Sequence, residues 1–295
     1  MYRFGILKAA SLSVPVIVVG NITAGGSGKT PLVIWLVDEL KRQGRKPGVI
    51  SRGYGGSAEG VRKVSRGDTP DVVGDEPLLI ARRADCPVYV GRDRVAAGRA
   101  LLAENPECDV IISDDGLQHY RLARDFEIAV VDRRGFGNGW PLPAGPLREP
   151  VSRLKSVDAV VANGWAGEAA FRMTLAGDEF RSYGKVSRGA TPGDLAGLRL
   201  HAVAGIGEPQ RFFDHLAALG LEFTAHPFPD HHAYTAADLD FDGDAILTTE
   251  KDAVKFGDLA RLPAHLSVWV LPVTATVTPD LAQFILEKID GRPPA

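Results

Sequence analysis

The residues best suited to chemistry form a glycine-rich turn between an apolar run and a segment with helical periodicity. The turn "TAGGSGKT" matches the phosphate-binding pattern G-x-x-x-x-G-K-[ST], except that a threonine replaces the first glycine. Glycines at this spacing let backbone N–H groups curl around an anion, the lysine reaches terminal phosphates, and the last hydroxyl can ligate Mg²⁺. We therefore predict that this turn binds a nucleoside triphosphate. We call it the phosphate loop, which consists of Thr23, Ala24, Gly25, Gly26, Ser27, Gly28, Lys29 and Thr30.

A pair of carboxylates could hold the metal ion of such a nucleotide. The segment "DVIISDDGLQH" is apolar up to Asp114 and Asp115, which then stand at the carboxyl end of a predicted parallel strand. Ligands of open α/β sheets bind at that edge. Neighbouring side chains of an extended strand point to opposite faces, so we expect one carboxylate to turn with the bend at Gly116. The alternative is an acidic turn that binds nothing.

Transfer of a phosphoryl group to an alcohol also needs a base near the terminal phosphate. Asp75 in "GDEP" and a histidine in "FPDHHAY" are candidates, although Asp75 could be only a helix N-cap and the histidine only a surface residue. No Asn-Lys-x-Asp motif for reading guanine is present in the sequence. The pattern thus favours a phosphotransferase over a GTP-dependent switch.

Short apolar runs alternate with helical periodicity along most of the chain, which predicts an α/β fold of the P-loop NTPase type with a mainly parallel sheet flanked by helices. We place a larger domain that contains the phosphate loop at residues 1–165 and a smaller C-terminal α/β domain at 166–295. Residues 133–150, rich in glycine and proline, are predicted to form a long ordered loop. Residues 171–185 are predicted to form an edge hairpin.

Composition narrows the partners and the location. The net charge is −3, without a basic tail, so we expect no binding to nucleic acid. The longest apolar run, residues 14–19, is far shorter than the ~20 residues that span a bilayer. The first residues, "MYRFGILKAASLS", lack the features of an export signal, and the 2 cysteines are far apart. We therefore predict a cytoplasmic location.

Several segments in a fixed order resemble the tetraacyldisaccharide 4'-kinases of lipid A biosynthesis. They are "VPVIVVGNITAGGSGKTP", "SRGYGG", "GDEP", "DDGLQH", "GNGWPLPAGPLREP", "FPDHHAY" and "TTEKDAVKF". The resemblance runs from about Val14 to the C-terminus and includes the threonine at position 23. It implies transfer of the ATP γ-phosphate, with Mg²⁺, to the 4'-hydroxyl of a tetraacylated glucosamine disaccharide 1-phosphate, which gives lipid IVA.

The resemblance also assigns roles to residues. Lys29 and Thr30 would contact phosphate and Mg²⁺, with Asp114 and Asp115 completing the metal region, and Lys29 would take part in catalysis. Asp75 would be the base. His231 would assist it from the second domain, whose closure would exclude water. Around them we expect four further active-site residues, of which Arg52 could equally be solvated loop charge: Glu76, His119, Glu149 and Arg52.

Family members usually begin with a longer apolar and basic helix that rests on the inner membrane. Here the residues before the first strand could form only a short interfacial patch, from Tyr2, Phe4, Ile6 and Leu7. We predict peripheral association with the cytoplasmic face of the inner membrane, through this patch, through other apolar loops or through residues upstream. The alternative functions are another small-molecule kinase and a P-loop regulatory or metal-chaperone protein.

Overall fold

The computed structural model describes residues 8–184, 188–257 and 266–291. The chain forms two compact units, one of Met1–Leu175 with Ala275–Ala295 and one of Ala176–Thr274. This division differs from the predicted one, because the boundary lies ten residues later than 165 and the C-terminal segment returns to the first unit. The predicted N-terminal apolar patch, at residues 2–7, lies outside the described residues.

Fifteen strands build two sheets in the described part of the chain. They are β1 Val16–Gly20, β2 Pro47–Ser51, β3 Val61–Lys63, β4 Val88–Gly91, β5 Val110–Asp114, β6 Phe126–Asp132, β7 Ala159–Asn163, β8 Phe171–Ala176, β9 Phe180–Ser182, β10 Gly189–Ala190, β11 Leu200–Ala204, β12 Phe223–Pro227, β13 Ala245–Thr249, β14 Ser267–Leu271 and β15 Thr274–Thr278. The larger sheet has the order β15-β8-β7-β6-β1-β5-β2-β4-β3, and the smaller one β10-β9-β14-β13-β11-β12.

Neighbouring strands from β8 to β4 in the larger sheet run parallel, and β3 is antiparallel to β4. The central strand β1, "VIVVG", is buried at every position, as expected for a parallel strand covered on both faces. The predicted α/β class with a mainly parallel sheet is confirmed. Since β1, β2, β5, β6 and β7 are mutually parallel, their carboxyl ends lie at one edge of the sheet.

Eight helices accompany the sheets in the described residues: α1 Lys29–Arg42, α2 Pro70–Val73, α3 Asp75–Arg83, α4 Arg94–Glu104, α5 Pro192–Leu195, α6 Pro209–Ala218, α7 Glu250–Ala253 and α8 Leu281–Asp290. The stripe of Leu32, Val33, Leu36 and Leu40 buries one face of α1. Residues 151–156 form a 3₁₀ helix. No helix among the described residues is both long and apolar enough to cross a membrane.

The C-terminal helix belongs to the first unit because it completes that unit's core. The ring of Phe284 on α8 meets Phe126 of β6 edge-on at 5.7 Å and lies 5.5 Å from Phe171 of β8. Near the end of the same helix, Asp290 accepts a hydrogen bond of 3.0 Å from Arg45. Aromatic contacts between residues so distant in sequence give no signal that sequence periodicity can detect.

The predicted hairpin at residues 171–185 is wrong. β8 continues the larger sheet beside β7, whereas β9 lies in the smaller sheet between β10 and β14. The alternating burial of β8 is that of a strand with one covered face. Such alternation does not reveal which partner strand supplies the hydrogen bonds, so it cannot distinguish a hairpin from a crossing between two sheets.

A buried ion pair holds the 3₁₀ segment against β6 and yields a prediction on stability. Arg153, 3% exposed, donates to Glu127 at 2.5 Å. We expect Arg153→Met to lower the free energy of unfolding by about 3 kcal/mol, the lower end of the range for breaking a buried pair, because Arg124 still contacts Glu127. Urea unfolding measures this value. Arg121→Met, which breaks the exposed pair with Asp93, should cost at most about 1 kcal/mol; equal losses in both variants would contradict the prediction.

Candidate active site

The phosphate loop connects β1 to α1 at the carboxyl edge of the larger sheet. Gly25 and Gly28 adopt left-handed φ angles of 90° and 88°, and α1 begins directly afterwards at Lys29. A Cβ at Gly28 would lie 2.3 Å from the Nδ2 atom of Asn163, so no other residue fits there without rearrangement. The loop therefore offers backbone N–H groups and a helix N-terminus to an anion.

Three residues from two neighbouring segments brace this loop from outside. Asn163, at the end of β7, donates to the carbonyl of Ser27 at 3.0 Å, and Arg134 donates to that of Gly26 at 2.8 Å. The N–H of Ala24 donates to the carbonyl of Pro146 at 2.7 Å. The loop is thus held in shape by contacts from β7 and from residues 133–150. Our sequence analysis missed Asn163 and Arg134, although a polar residue at the end of an apolar strand is the same signal that identified Asp114.

Lys29 is positioned by a fully buried asparagine that directly follows β1. The Nζ atom of Lys29 donates to Oδ1 of Asn21 at 3.1 Å and lies 3.5 Å from Oδ1 of Asp115. Asn21 also donates to the carbonyl of Thr23 at 2.8 Å, and its own carbonyl accepts from Gln118 at 3.0 Å. Asn21 therefore fixes both the start of the phosphate loop and the end of the lysine side chain.

Loss of this amide should slow turnover more than it weakens folding. We expect Asn21→Ala to lower kcat by about 10- to 100-fold, because a misplacement of about 1 Å in a catalytic group can cost that much. Steady-state kinetics with ATP varied measures the effect, and circular dichroism checks that the variant is folded. Asn105→Ala, which removes another buried amide remote from the phosphate loop, is the matched control. Equal kcat values for the Asn21 variant and the unmodified protein would contradict the assignment.

The two adjacent aspartates differ in environment. Asp114 ends β5, is 3% exposed and accepts from the hydroxyl of Ser51 at 3.1 Å. Burial and the charge of Asp115 raise the pKa of Asp114. Asp115 turns away from the strand with a φ of 47° and meets Arg148 at 3.0 Å. Burial acts to raise the pKa of Asp115, but Lys29 and Arg148 outweigh it, and the pKa is lowered.

This donor set fits Mg²⁺. Among the described residues, the Oδ1 atom of Asp114 is buried without a hydrogen-bond partner, and so is the hydroxyl of Ser27 in the phosphate loop. An uncompensated carboxylate oxygen is costly unless a cation or proton satisfies it. Carboxylate and hydroxyl oxygens are the ligands that Mg²⁺ prefers, and Thr30 adds a hydroxyl in the first turn of α1.

Glu149 is connected to the phosphate loop through Gln118. One carboxylate oxygen of Glu149 accepts from Gln118 at 2.9 Å, and the other accepts from the hydroxyl of Tyr120. Arg153 lies 3.5 Å from the same carboxylate. Gln118 also donates to the backbone carbonyl of Asn21, whose side chain contacts Lys29. Gln118 therefore links Glu149 to the residue that positions Lys29. The structure thus brings Glu149 to the site as part of a polar network.

His119 and Arg52 lie in the same region with different burial. The Nε2 atom of His119 is buried without a partner among the described residues, and burial lowers the pKa of this histidine, as do nearby arginines. Arg52 is exposed and follows β2, next to the serine that contacts Asp114. The pKa of Arg94 falls to about 10, mainly through burial, and the positive charge of Arg52 also acts to lower it. Arg94 itself donates to the carbonyl of Asp114 at 3.2 Å, so it supports β5 and does not face solvent.

Asp75 is the first residue of α3 and is 5% exposed. The N-cap residue of α3 is Gly74, with a φ of 89°. The alternative that Asp75 serves only as the N-cap is therefore excluded. One of its oxygens accepts from the N–H of Glu76 at 3.1 Å. A Cβ at Gly74 would lie 2.6 Å from the carbonyl oxygen of Tyr54, so the turn that sets Asp75 requires glycine.

His231 lies in the second unit, after β12, with a left-handed φ of 61°. Its Nε2 atom is 3.7 Å from Asp230, which also accepts from Lys251 at 3.1 Å. His232, by contrast, stacks on Phe228 at 4.6 Å and so has a packing role. The predicted pairing of His231 with Asp75 joins residues of different units and stays a prediction.

A parallel sheet whose central strand leads through a glycine loop into a helix, with a buried aspartate ending the neighbouring strand, defines a P-loop nucleotide-binding protein. Residues 1–290 match the family described as Tetraacyldisaccharide-1-P 4'-kinase. The chain belongs to this family. The predicted family, the P-loop type of fold and the class of phosphotransferase with an alcohol acceptor are thereby confirmed.

Individual relatives agree with this assignment. The "Tetraacyldisaccharide 4'-kinase" of Azoarcus sp. (strain BH72) is 56% identical, covering 100% of this chain and 88% of the relative. That of Aromatoleum aromaticum is 52% identical, covering 100% and 90%. The crystal structure of LpxK from Aquifex aeolicus in complex with ATP matches with a TM-score of 0.79 and 29% identity, over 98% of this chain and 92% of that one.

Proposed function

We propose that this protein transfers the γ-phosphoryl group of ATP to the 4'-hydroxyl of tetraacyldisaccharide 1-phosphate, giving lipid IVA. The observation that carries the proposal is the placement of Lys29 in the glycine loop after β1, with the unsatisfied Oδ1 atom of Asp114 at the end of the neighbouring β5, in a chain of this family. The proposal extends to this chain what the names of its relatives say of them.

In this proposal the phosphate loop, residues 23–30, binds the triphosphate. Its backbone N–H groups and the N-terminus of α1 favour the negative charge, and Lys29 stabilises the charge that develops on the terminal phosphate. Thr30, Asp114 and Asp115 would hold Mg²⁺, which neutralises phosphate charge when bound. Arg52, His119 and Glu149 would line this region, and the contacts of Asn21 would keep Lys29 directed at the phosphates.

Asp75 is the proposed base, with Glu76 beside it. The N-terminus of a helix favours an ionised carboxylate, which is the form that accepts a proton. Asp75 would orient the 4'-hydroxyl and take its proton as the oxygen attacks the γ-phosphorus and the bond to ADP breaks. Its burial restricts the motion of the side chain, so that the carboxylate is held for the acceptor.

His231 is proposed to hold Asp75 or share its proton, from a second unit that closes over the cleft and excludes water.

We expect His231→Ala to lower kcat by about 100-fold while ATP still binds. His232→Gln is the control. This variant should be less stable because it loses the stacking on Phe228, but its turnover per folded molecule should be unchanged. Unchanged turnover of the His231 variant would remove this residue from the proposal.

The location is also a proposal. An acceptor with four acyl chains belongs to a membrane, so we propose that the protein works at the cytoplasmic face of the inner membrane as a peripheral protein. The absence of a membrane-crossing helix among the described residues is compatible with this location.

Incubation with ATP labelled at the γ-phosphate tests the function. With Mg²⁺ and the acylated disaccharide 1-phosphate, label should enter the lipid, and nuclear magnetic resonance should place the new phosphate at the 4' position. A deacylated disaccharide in parallel shows whether the chains are needed. Labelled inorganic phosphate without labelled lipid would favour a nucleotide-dependent regulatory protein, and label in a water-soluble acceptor alone would favour another small-molecule kinase.

A further inference from the structure

One segment beside the phosphate loop exposes apolar residues in a continuous run. Residues 140–144, "WPLPA", are all exposed, with Trp140 at 63% and Leu142 at 55%. In the part of the chain that the structure describes, no other two large exposed apolar side chains lie within three positions of each other. Runs of this kind are unfavourable in water unless they serve an interaction. We call residues 140–144 the apolar tip.

The exposure of the apolar tip is built into the loop by its own hydrogen bonds. The backbone N–H of Trp140 donates to Oδ1 of Asn138 at 3.1 Å, and Nδ2 of Asn138 donates to the carbonyl of Ala144 at 2.9 Å. The N–H of Leu142 donates to the carbonyl of Leu147 at 2.8 Å. A Cβ at Gly145 would lie 2.1 Å from Oδ1 of Asn138, so glycine is required for this closure. The tip is therefore held outward by an ordered frame.

The same frame connects the tip to the phosphate loop. The N–H of Leu147 donates to the carbonyl of Trp140 at 3.0 Å, and Leu147 forms a backbone bridge with Thr23. Neighbouring extended segments lie about 4.8 Å apart, so two such spacings put the Trp140 backbone about 10 Å from the phosphate loop. A surface that contacts the tip would consequently lie close to the nucleotide phosphates.

The chemistry of the tip fits a lipid surface. Residues 135–147 contain no charged side chain, and the exposed Arg133 precedes them. Tryptophan favours the interface between acyl chains and headgroups, and arginine favours anionic headgroups. A second copy of the chain is a poorer occupant, since two large side chains expose far less than the about 800 Å² per partner of a stable interface.

We propose that the apolar tip inserts into the interfacial region of a phospholipid bilayer and brings the phosphate loop to the membrane surface. The inference rests on the proposed function, because the acceptor is a lipid whose sugar lies at that surface. Insertion would let the acyl chains of the acceptor remain in the bilayer while its 4'-hydroxyl reaches the γ-phosphate. Residues 140–144 would thus supply a membrane contact separate from the N-terminal residues.

Sedimentation with mixed vesicles of phosphatidylethanolamine and phosphatidylglycerol tests the proposal. We expect the double variant Trp140→Ser, Leu142→Ser to partition onto vesicles about tenfold less than the unmodified protein. The control Leu198→Ser, which removes an exposed leucine of the second unit, should partition normally. In vesicles with brominated acyl chains, tryptophan emission should be quenched in the unmodified protein and much less in Trp140→Phe.

The outcomes separate this proposal from the proposed function. Equal partitioning of the double variant and the unmodified protein would overturn the role of the tip, even if label from ATP enters the lipid. Vesicle binding that depends on the tip, without label transfer, would support the contact and overturn the kinase proposal. A change in oligomeric state in light scattering, with partitioning unaltered, would show instead that the tip contacts a second copy and would overturn the proposal.

Discussion

Replacing Asp75 by asparagine should lower kcat by about 10²- to 10⁴-fold while ATP affinity stays unchanged. The substitution keeps the size of the side chain at a buried position and removes the carboxylate that the proposed mechanism needs as proton acceptor. The reaction should slow at the chemical step, since Asp75 lies on α3 and outside the phosphate loop. Single-turnover phosphate transfer and calorimetric ATP binding measure the two quantities.

Asp71→Asn is the matched control for that variant. Asp71 lies four positions earlier, in the first turn of α2, and is exposed. Its loss should leave kcat unchanged. If Asp75→Asn stayed folded and retained full turnover, Asp75 would not be the base and another group would have to accept the proton.

Replacing Lys29 by methionine should lower kcat/KM by about 10²- to 10³-fold. The flexible methionine keeps much of the apolar stem but removes the cation that Asn21 directs and that Asp115 neighbours. In the proposed mechanism, this cation binds ATP and stabilises the charge on the transferring phosphoryl group, so KM for ATP should rise and kcat should fall. Lys29→Arg should rescue little, because a planar guanidinium does not fit a site built for a compact ammonium.

Lys41→Met is the control for Lys29, since it removes an exposed lysine from the last turn of the same helix. Its pairing with Asp85 is at the surface, and such pairs contribute at most about 1 kcal/mol to stability. Kinetics should therefore match those of the unmodified protein. A Lys29→Met variant with normal KM and kcat would mean that nucleotide phosphates bind elsewhere.

The parts of the site that sequence patterns predicted are short segments, each contiguous in the chain. The phosphate loop and the Asp114–Asp115 pair follow directly from a glycine pattern and from polar residues after an apolar strand. The braces of the loop were missed because they are tertiary: Asn163 contacts Ser27 across 136 positions, and Arg134 contacts Gly26 across 108. No local pattern encodes such a pairing, although the parallel order of the strands brings the residues to one edge.

The domain boundary shows the same limit at a larger scale. Only the packing of Phe284 on Phe126 and Phe171 shows that α8 belongs to the first unit. The exposure of Trp140 likewise depends on the frame from Asn138 and Leu147, which composition alone does not reveal. The residues proposed to carry the chemistry thus come from sequence patterns, and tertiary contacts decide how they are held.

A crystal structure with Mg²⁺, a non-hydrolysable ATP analogue and the acylated disaccharide is the most direct test of the account. We predict the triphosphate along residues 25–30, with Nζ of Lys29 at its terminal phosphate and the 4'-hydroxyl about 3 Å from the Asp75 carboxylate. A nucleotide bound away from this loop, or a 4'-hydroxyl far from Asp75 and approached by a different base, would contradict the account.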